Sequence, residues 1–268
     1  MISVIIPTLN EEKFLPHLLD SLALQTNKDF EVIVADGSSK DKTVEVANSY
    51  TSKLPKLTVV VSKKASIPVQ RNLGTKAAKG DWFAFIDADG VLFPHFMARV
   101  SEFIAANHPK IVTTWTSPDS DKPGDANIAL LANLIFEMSI ITHRPFSPGP
   151  LTIVSRKVFE QVGGYDETRK FNEDVDFSMR VYKEKIALSI IPETLYVWSL
   201  RRLRKQGTLN VLQQYLISAL PILLFKQPIR YMPGYIMGGQ LYAKKKQKES
   251  RTKQYGRKLR SIMKELFG

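Results

Sequence analysis

DWFAFIDADG, Asp81 to Gly90, reads as a buried strand that delivers two acids to its carboxyl end. Trp82 to Ile86 are apolar without alternation, the pattern of a strand covered on both faces, and they run straight into Asp87, Ala88 and Asp89. Carboxylates this close repel one another and resist desolvation, so a compensating cation is expected beside them. Hard oxygen donors suit Mg²⁺ or Mn²⁺, ions that commonly arrive with phosphate. A polar turn accounts for Asp-Gly equally well, because an acid-x-acid triplet is common.

Outward from this strand, the preceding residues alternate between short apolar runs and helical stripes. Ser3 to Pro7 is a first strand and Thr8 to Asn10 its loop; Phe14, Leu15, Leu18, Leu19 and Leu22 mark a helix within Glu11 to Leu24. Phe30 to Ala35 is a second strand ending at Asp36, and Ser39 or Asp41 is placed to cap a helix running to Tyr50. Leu57 to Val61 and Ile67 to Ala78 repeat the unit. Such βα repetition predicts an α/β fold with a mostly parallel central sheet and helices on both faces. Ligands of these sheets sit outside the carboxyl ends of the strands, where Pro7, Thr8, Asp36 and Asp87 to Asp89 fall. A nucleotide suits them: a carboxylate accepts from a base N–H, a Thr hydroxyl meets base or ribose, and a metal on Asp89 bridges a diphosphate. Arg71, in VQRNLG, is either a cation near base or phosphate or a solvated helix residue. Neither G-x-x-x-x-G-K-[ST] nor a G-x-G-x-x-G after the first strand occurs, which argues against P-loop and dinucleotide-binding chemistry.

Downstream, Phe93 to Ala106 is a predicted helix led in by Pro94, and Ile111 to Trp115 a strand. Ser117 to Asp125 has loop composition. Ala126 to Ile141 is an apolar helix that Asn127, Asn133 and Glu137 make a poor membrane span. Arg144 to Pro150 is a proline-stiffened loop before a strand at Leu151 to Ser155. Glu173 to Phe177 opens a further helix, with Asn172 as a candidate cap and acids that suit its macrodipole.

In this order and spacing, PTLNEE, VIVADGSSKDKT, QRNLG, FAFIDADG, GGYDE and FNEDVDF resemble family 2 glycosyltransferases, inverting enzymes of the GT-A fold, over roughly Met1 to Trp198. The resemblance implies a nucleoside-diphosphate-sugar donor. It places base recognition on Asp36 with help from Pro7, Thr8 and Glu11, and ribose and metal on Asp87 and Asp89. It also implies that Asp174 is the general base, that Glu173 orients loop or acceptor, and that the loop holding Gly149 lies beside the acceptor, a glycan or lipid-linked molecule. Asp176 is expected to serve structure. Two departures stand out: Ala35 occupies a position often acidic in the family, and Trp198 with Ser199 stands where many GT-A enzymes place a metal-binding His. No third protein ligand is therefore assigned to the metal.

The 268 residues contain no Cys, which excludes a disulfide framework and a thiolate metal site. MISVIIPTLNEE has neither a basic start nor a cleavage site, so a signal peptide is not expected. From Ser199 to Gly268 there are 16 Lys and Arg against Glu249 and Glu265, a net of +14; the whole chain is +12, leaving −2 for the first 198 residues. The expected division is a transferase domain over residues 1–198, split at 90 into donor-binding and acceptor halves, and a helical, basic extension over 199–268. Within the extension, Arg201 and Arg202 are candidates for diphosphate or an anionic acceptor. Thr208 to Tyr242 and the lysines that follow suit an anionic membrane surface, giving a cytoplasmic protein peripheral to the inner face of the plasma membrane. Rival classes are a non-catalytic module using the basic tail, which lacks a nucleic-acid-reading motif, and a sugar-phosphate nucleotidyltransferase, which would need a basic Gly-rich loop where PTLNEE is acidic. No nucleic acid partner is expected.

Overall fold

A computed structural model of the chain describes residues 1–141, 147–225, 228–232 and 240. The first half is built as the apolar runs dictate: β1 (Ile2–Thr8), α1 (Leu15–Ala23), β2 (Phe30–Asp36), α2 (Thr43–Ser49), β3 (Leu57–Val61), α3 (Ile67–Ala77) and β4 (Trp82–Ile86). β1 pairs in parallel with β2 and β4, and β2 with β3. Then follow β5 (Val91–Leu92), α4 (Phe96–Asn107), β6 (Ile111–Pro118), α5 (Pro123–Ile141), β7 (Leu151–Ser155), α6 (Arg156–Gln161), α7 (Glu173–Lys183), β8 (Leu188–Trp198), α8 (Arg201–Gln206) and α9 (Thr208–Phe225). One eight-stranded sheet results, in the order β3-β2-β1-β4-β7-β6-β8-β5.

Alternate residues of the central strands feed two cores. Val4, Ile6, Val32, Val34, Ala84 and Ile86 meet α1 on one face; Ile5, Ile33, Phe83 and Phe85 meet Phe159, Tyr165 and Phe177 on the other. These strands are buried on both sides, which is why their sequences do not alternate. α3 lies close on β1 because Gly74 has no side chain: a Cβ there would collide with Cγ2 of Ile5.

β7 sets the site. It runs antiparallel to β4, with Ile86 opposite Leu151, so the loop entering β7 lies at the end from which Asp87 leaves. The Asp87 N–H donates to the Pro150 carbonyl at 3.2 Å. β8 runs parallel to β6, with register shifts at Thr114/Trp115 and Trp115/Thr116 of the kind that bend a strand, and brings Trp198 and Ser199 to the same edge.

Several local expectations differ. α1 begins at Leu15 rather than Glu11; Pro16 stands in its first turn, and the Phe14 and Leu15 N–H groups donate to the Glu11 carbonyl. Ser117 to Asp125 is not one loop, because β6 continues to Pro118 and α5 starts at Pro123. Asn172 precedes α7 with φ 54° and makes no side-chain cap. Asp41 accepts from the Thr43 N–H at 3.0 Å, whereas the Ser39 hydroxyl is engaged with Asp36 instead of capping α2.

Candidate functional site

At the carboxyl ends of β1, β4, β6 and β8 lies a cavity of about 1150 Å³. Its wall includes Pro7, Thr8, Glu11, Arg71, Asp87, Asp89, Gly149, Glu173, Asp174, Ser199, Arg201 and Arg202. Acids from three separate segments, Glu11, Asp87 with Asp89, and Glu173 with Asp174, therefore share one space. Residues beyond 198 are part of that wall.

Two buried guanidiniums organise the acids. Arg71 is 1% exposed, so it is not a solvated helix residue; it reaches Asp87 Oδ1 at 3.2 Å, Glu173 Oε1 at 3.3 Å and the Gly149 carbonyl at 2.8 Å. It thereby ties the Asp87-Ala88-Asp89 turn, the loop before β7 and the first turn of α7 into one unit. Its plane also lies 5.0 Å from the Tyr165 ring centroid. Arg201 grips both oxygens of Glu11 at 2.6 Å and places Nε 2.6 Å from Asp89 Oδ2. Such forked pairing is what makes a buried Arg tolerable.

Asp174 is held by backbone donors. Its Oδ2 accepts from the Gly149 N–H at 3.0 Å and its Oδ1 from the Val175 N–H at 2.8 Å. Asp176 points elsewhere and pairs with Arg169 at 2.7 Å and Arg180 at 2.9 Å. Asp36 is fully buried and does not line the cavity: Oδ1 accepts from the hydroxyls of Thr8 at 3.0 Å and Ser39 at 2.5 Å, and Oδ2 from the Ser39 N–H. It stands one hydrogen bond behind Thr8. Arg202 reaches Gln206 and Gln214, while Arg204 leaves the cavity to bind Asp119 and Asp125. Of RPFSPGP, residues 144–146 lie outside the described residues, as do Lys244 to Gly268 of the basic tail.

Crowding the acids raises their proton affinity. Burial lifts Glu11 to about 7, with Arg201 opposing and Asp89 and Asp87 assisting. Asp87 keeps 34% of its side chain exposed yet is lifted to about 6, by desolvation first, against Arg71. Asp89 is raised by burial despite Arg201. Asp174 is raised by burial and then by neighbouring Glu173, with Arg71 opposing.

The carboxylates outnumber the guanidiniums paired with them, and the hard oxygens of Asp87 and Asp89 suit Mg²⁺ or Mn²⁺. Arg201 supplies positive charge at Asp89 where such an ion would. Among the described residues no cluster of three or more His, Cys, Asp or Glu is arranged around a metal position.

Sequence reasoning missed Gln70 and Tyr196. Gln70 Nε2 donates to the carbonyls of Thr8 at 2.7 Å and Ala35 at 2.8 Å, locking the ends of β1 and β2; it adjoins Arg71 and was legible only as a neighbour. Tyr196, from β8, lines the cavity with a buried hydroxyl that has no hydrogen-bond partner among the described residues.

The description "Glycosyl transferase family 2" matches residues 3–163. An uncharacterised glycosyltransferase of Haemophilus influenzae is 29% identical over 198 residues, covering 69% of this chain and 63% of that protein. Among solved structures, TarS of Staphylococcus aureus in complex with UDP superposes with a TM-score of 0.62 at 25% identity, covering 74% of this chain and 60% of that one. The mannosyltransferase PcManGT of Pyrobaculum calidifontis, solved with GDP-Man and Mn²⁺, shares the fold with a TM-score of 0.59 at 21% identity, covering 74% and 56%. The chain thus spans 56 to 63% of the length of these proteins.

Proposed function

The chain belongs to glycosyl transferase family 2, and on that premise we propose that its cavity moves a sugar, with inversion, from a UDP- or GDP-sugar to a hydroxyl of a glycan or lipid-linked acceptor. One observation carries this reading: Asp87 and Asp89 on one side and Glu173 and Asp174 on the other line the same cavity, joined by Arg71. UDP in TarS and GDP-Man in PcManGT support the donor class.

In this reading Thr8, oriented by the buried Asp36 behind it, meets base and ribose. Asp174, fixed by two backbone N–H groups, takes the acceptor's proton as the hydroxyl oxygen attacks the anomeric carbon. The bond to the diphosphate breaks on the opposite face of the sugar. Glu173, pinned by Arg71, aligns the acceptor side, and Arg201 and Arg202 face the departing diphosphate. Asp87 and Asp89 would hold Mg²⁺ or Mn²⁺, which supplies Lewis-acid neutralisation of the leaving group when bound. The transferase body is residues 1–198 with Ser199, Arg201 and Arg202 completing its cavity, and the rest of the basic extension brings it to the cytoplasmic face of the plasma membrane.

A panel of UDP- and GDP-sugars with Mn²⁺ and candidate acceptors tests the proposal. Release of nucleoside diphosphate coupled to acceptor glycosylation is expected. Absence of both release and donor-induced thermal stabilisation across the panel would falsify it.

A further inference from the structure

α5 turns two polar residues toward the sheet beside buried Ala129 and Phe136, and its leucines outward. Asn133 and Glu137, the polar residues in its apolar run, face the sheet: Asn133 exchanges hydrogen bonds with the backbone N–H and carbonyl of Thr116 at 3.0 and 2.9 Å, and Glu137 accepts from Trp115 Nε1 at 2.8 Å. The helical stripe Leu130, Leu131, Leu134, Ile135, Met138 and Ile141 points the other way, each residue 51 to 68% exposed. A surface helix normally turns such a stripe inward. By length and composition α5 could cross a membrane, but its polar side is fastened lengthwise to β6, so it lies along the surface of the domain. The stripe exposes on the order of 600 Å² of apolar surface, at the upper limit for a monomer.

The stripe continues into the catalytic cavity. Leu131 and Ile135 of α5 and Leu216 and Ile222 of α9 line it, and Ile128 packs with Leu200, Leu203 and Val211 where the two helices meet. One end of the space is therefore carboxylate and the other hydrocarbon. The residues from Ser199 onward carry a net +14. Two copies of a chain at +12 repel, whereas an anionic bilayer offers both hydrocarbon and negative charge.

We infer that the outward faces of α5 and α9 seat in the interfacial layer of an anionic lipid bilayer, so that the apolar end of the cavity opens onto the acyl chains. The exposed stripe of α5 points to hydrocarbon by itself, and the charge beyond Ser199 selects an anionic bilayer. That the cavity is catalytic rests on the transferase reading; the docking surface does not.

Flotation of the full chain with phosphatidylcholine vesicles, with and without phosphatidylglycerol, tests it. Binding should require the anionic lipid at low salt and persist in part at high salt, where attraction to the lysines is screened. Replacing Leu130 and Leu134 by Gln, a residue of similar helix propensity, should weaken the salt-resistant binding by about tenfold or more with an unchanged melting temperature. A second variant, Leu209→Gln with Ile217→Gln, should act in the same direction from α9. Equal flotation of both variants and parent overturns the inference, as does parent binding that high salt abolishes entirely. A concentration-dependent dimer that these substitutions dissolve, without flotation, shows that a second copy covers the stripe and also overturns it. Donor hydrolysis in lipid-free solution is read in parallel: its absence with intact flotation counts against the transferase reading alone.

Discussion

Asp174 illustrates how little room the proposed base has. Its Oδ2 already meets the Gly149 N–H, and a Cβ on Gly149 would lie 2.7 Å from that same oxygen. Gly149→Ala is therefore expected to displace the carboxylate and cut transfer by about a hundredfold while altering the melting temperature little, checked by initial rates and a thermal melt. Asp174→Asn keeps the shape but cannot take a proton, so transfer should fall by about a thousandfold with donor affinity preserved in calorimetry. Arg71 is a different kind of residue, since Asp87 and Glu173 both depend on it. Arg71→Ala leaves two acids without their buried partner and should cost about 3 kcal/mol in urea denaturation as well as activity. Its solvated alternative was reasonable from sequence, because nothing local announces partners 16 and 102 residues away.

At the scale of elements, β7 and α5 do the most to shape the site. The antiparallel course of β7 puts Gly149 and Pro150 beside Asp87; a parallel strand would have carried this loop to the opposite edge. α5 was legible as a helix and its polar residues as interruptions. Their meaning was not, since which side of a helix meets the sheet depends on what the sheet offers: a backbone N–H and carbonyl at Thr116 and an indole N–H at Trp115. Asn133→Ala strands two backbone groups and is expected to destabilise by about 2 kcal/mol in urea denaturation, whereas the same change at exposed Asn127 should have an effect within about 0.5 kcal/mol.

For the whole molecule the crowded acids make stability and activity run in opposite directions with pH. A carboxyl whose affinity for protons rises on folding favours the fold where it is protonated. Glu11, at about 7, and Asp87, at about 6, thus withhold stability above neutrality and return it as pH falls toward their ordinary values of 4.5 and 3.8. The melting temperature should increase as pH is lowered from above 7 to about 5, followed by scanning calorimetry. Transfer should decline over the same descent, because the raised Asp174 takes up the proton it must be free to receive. Mn²⁺ at about a hundredfold excess over its Kd should stabilise the chain by about 2.7 kcal/mol at neutral pH, and Asp89→Ala should remove that gain.

The sequence by itself determined the βα succession, the strands buried on both faces, the edge at which Thr8, Asp87 and Asp89 emerge, and the acids that open α7. Those features follow from side-chain periodicity and from acids at the ends of apolar runs, which are local properties. Only the tertiary structure decided that Asp36 stands behind Thr8, that Arg71 joins Asp87 to Glu173, that Arg201 closes on Glu11 across 190 residues, and that α5 turns its leucines outward. Each of these depends on which buried charge or polar group finds a partner, and a partner supplied by another part of the chain leaves no mark on the residues next to it.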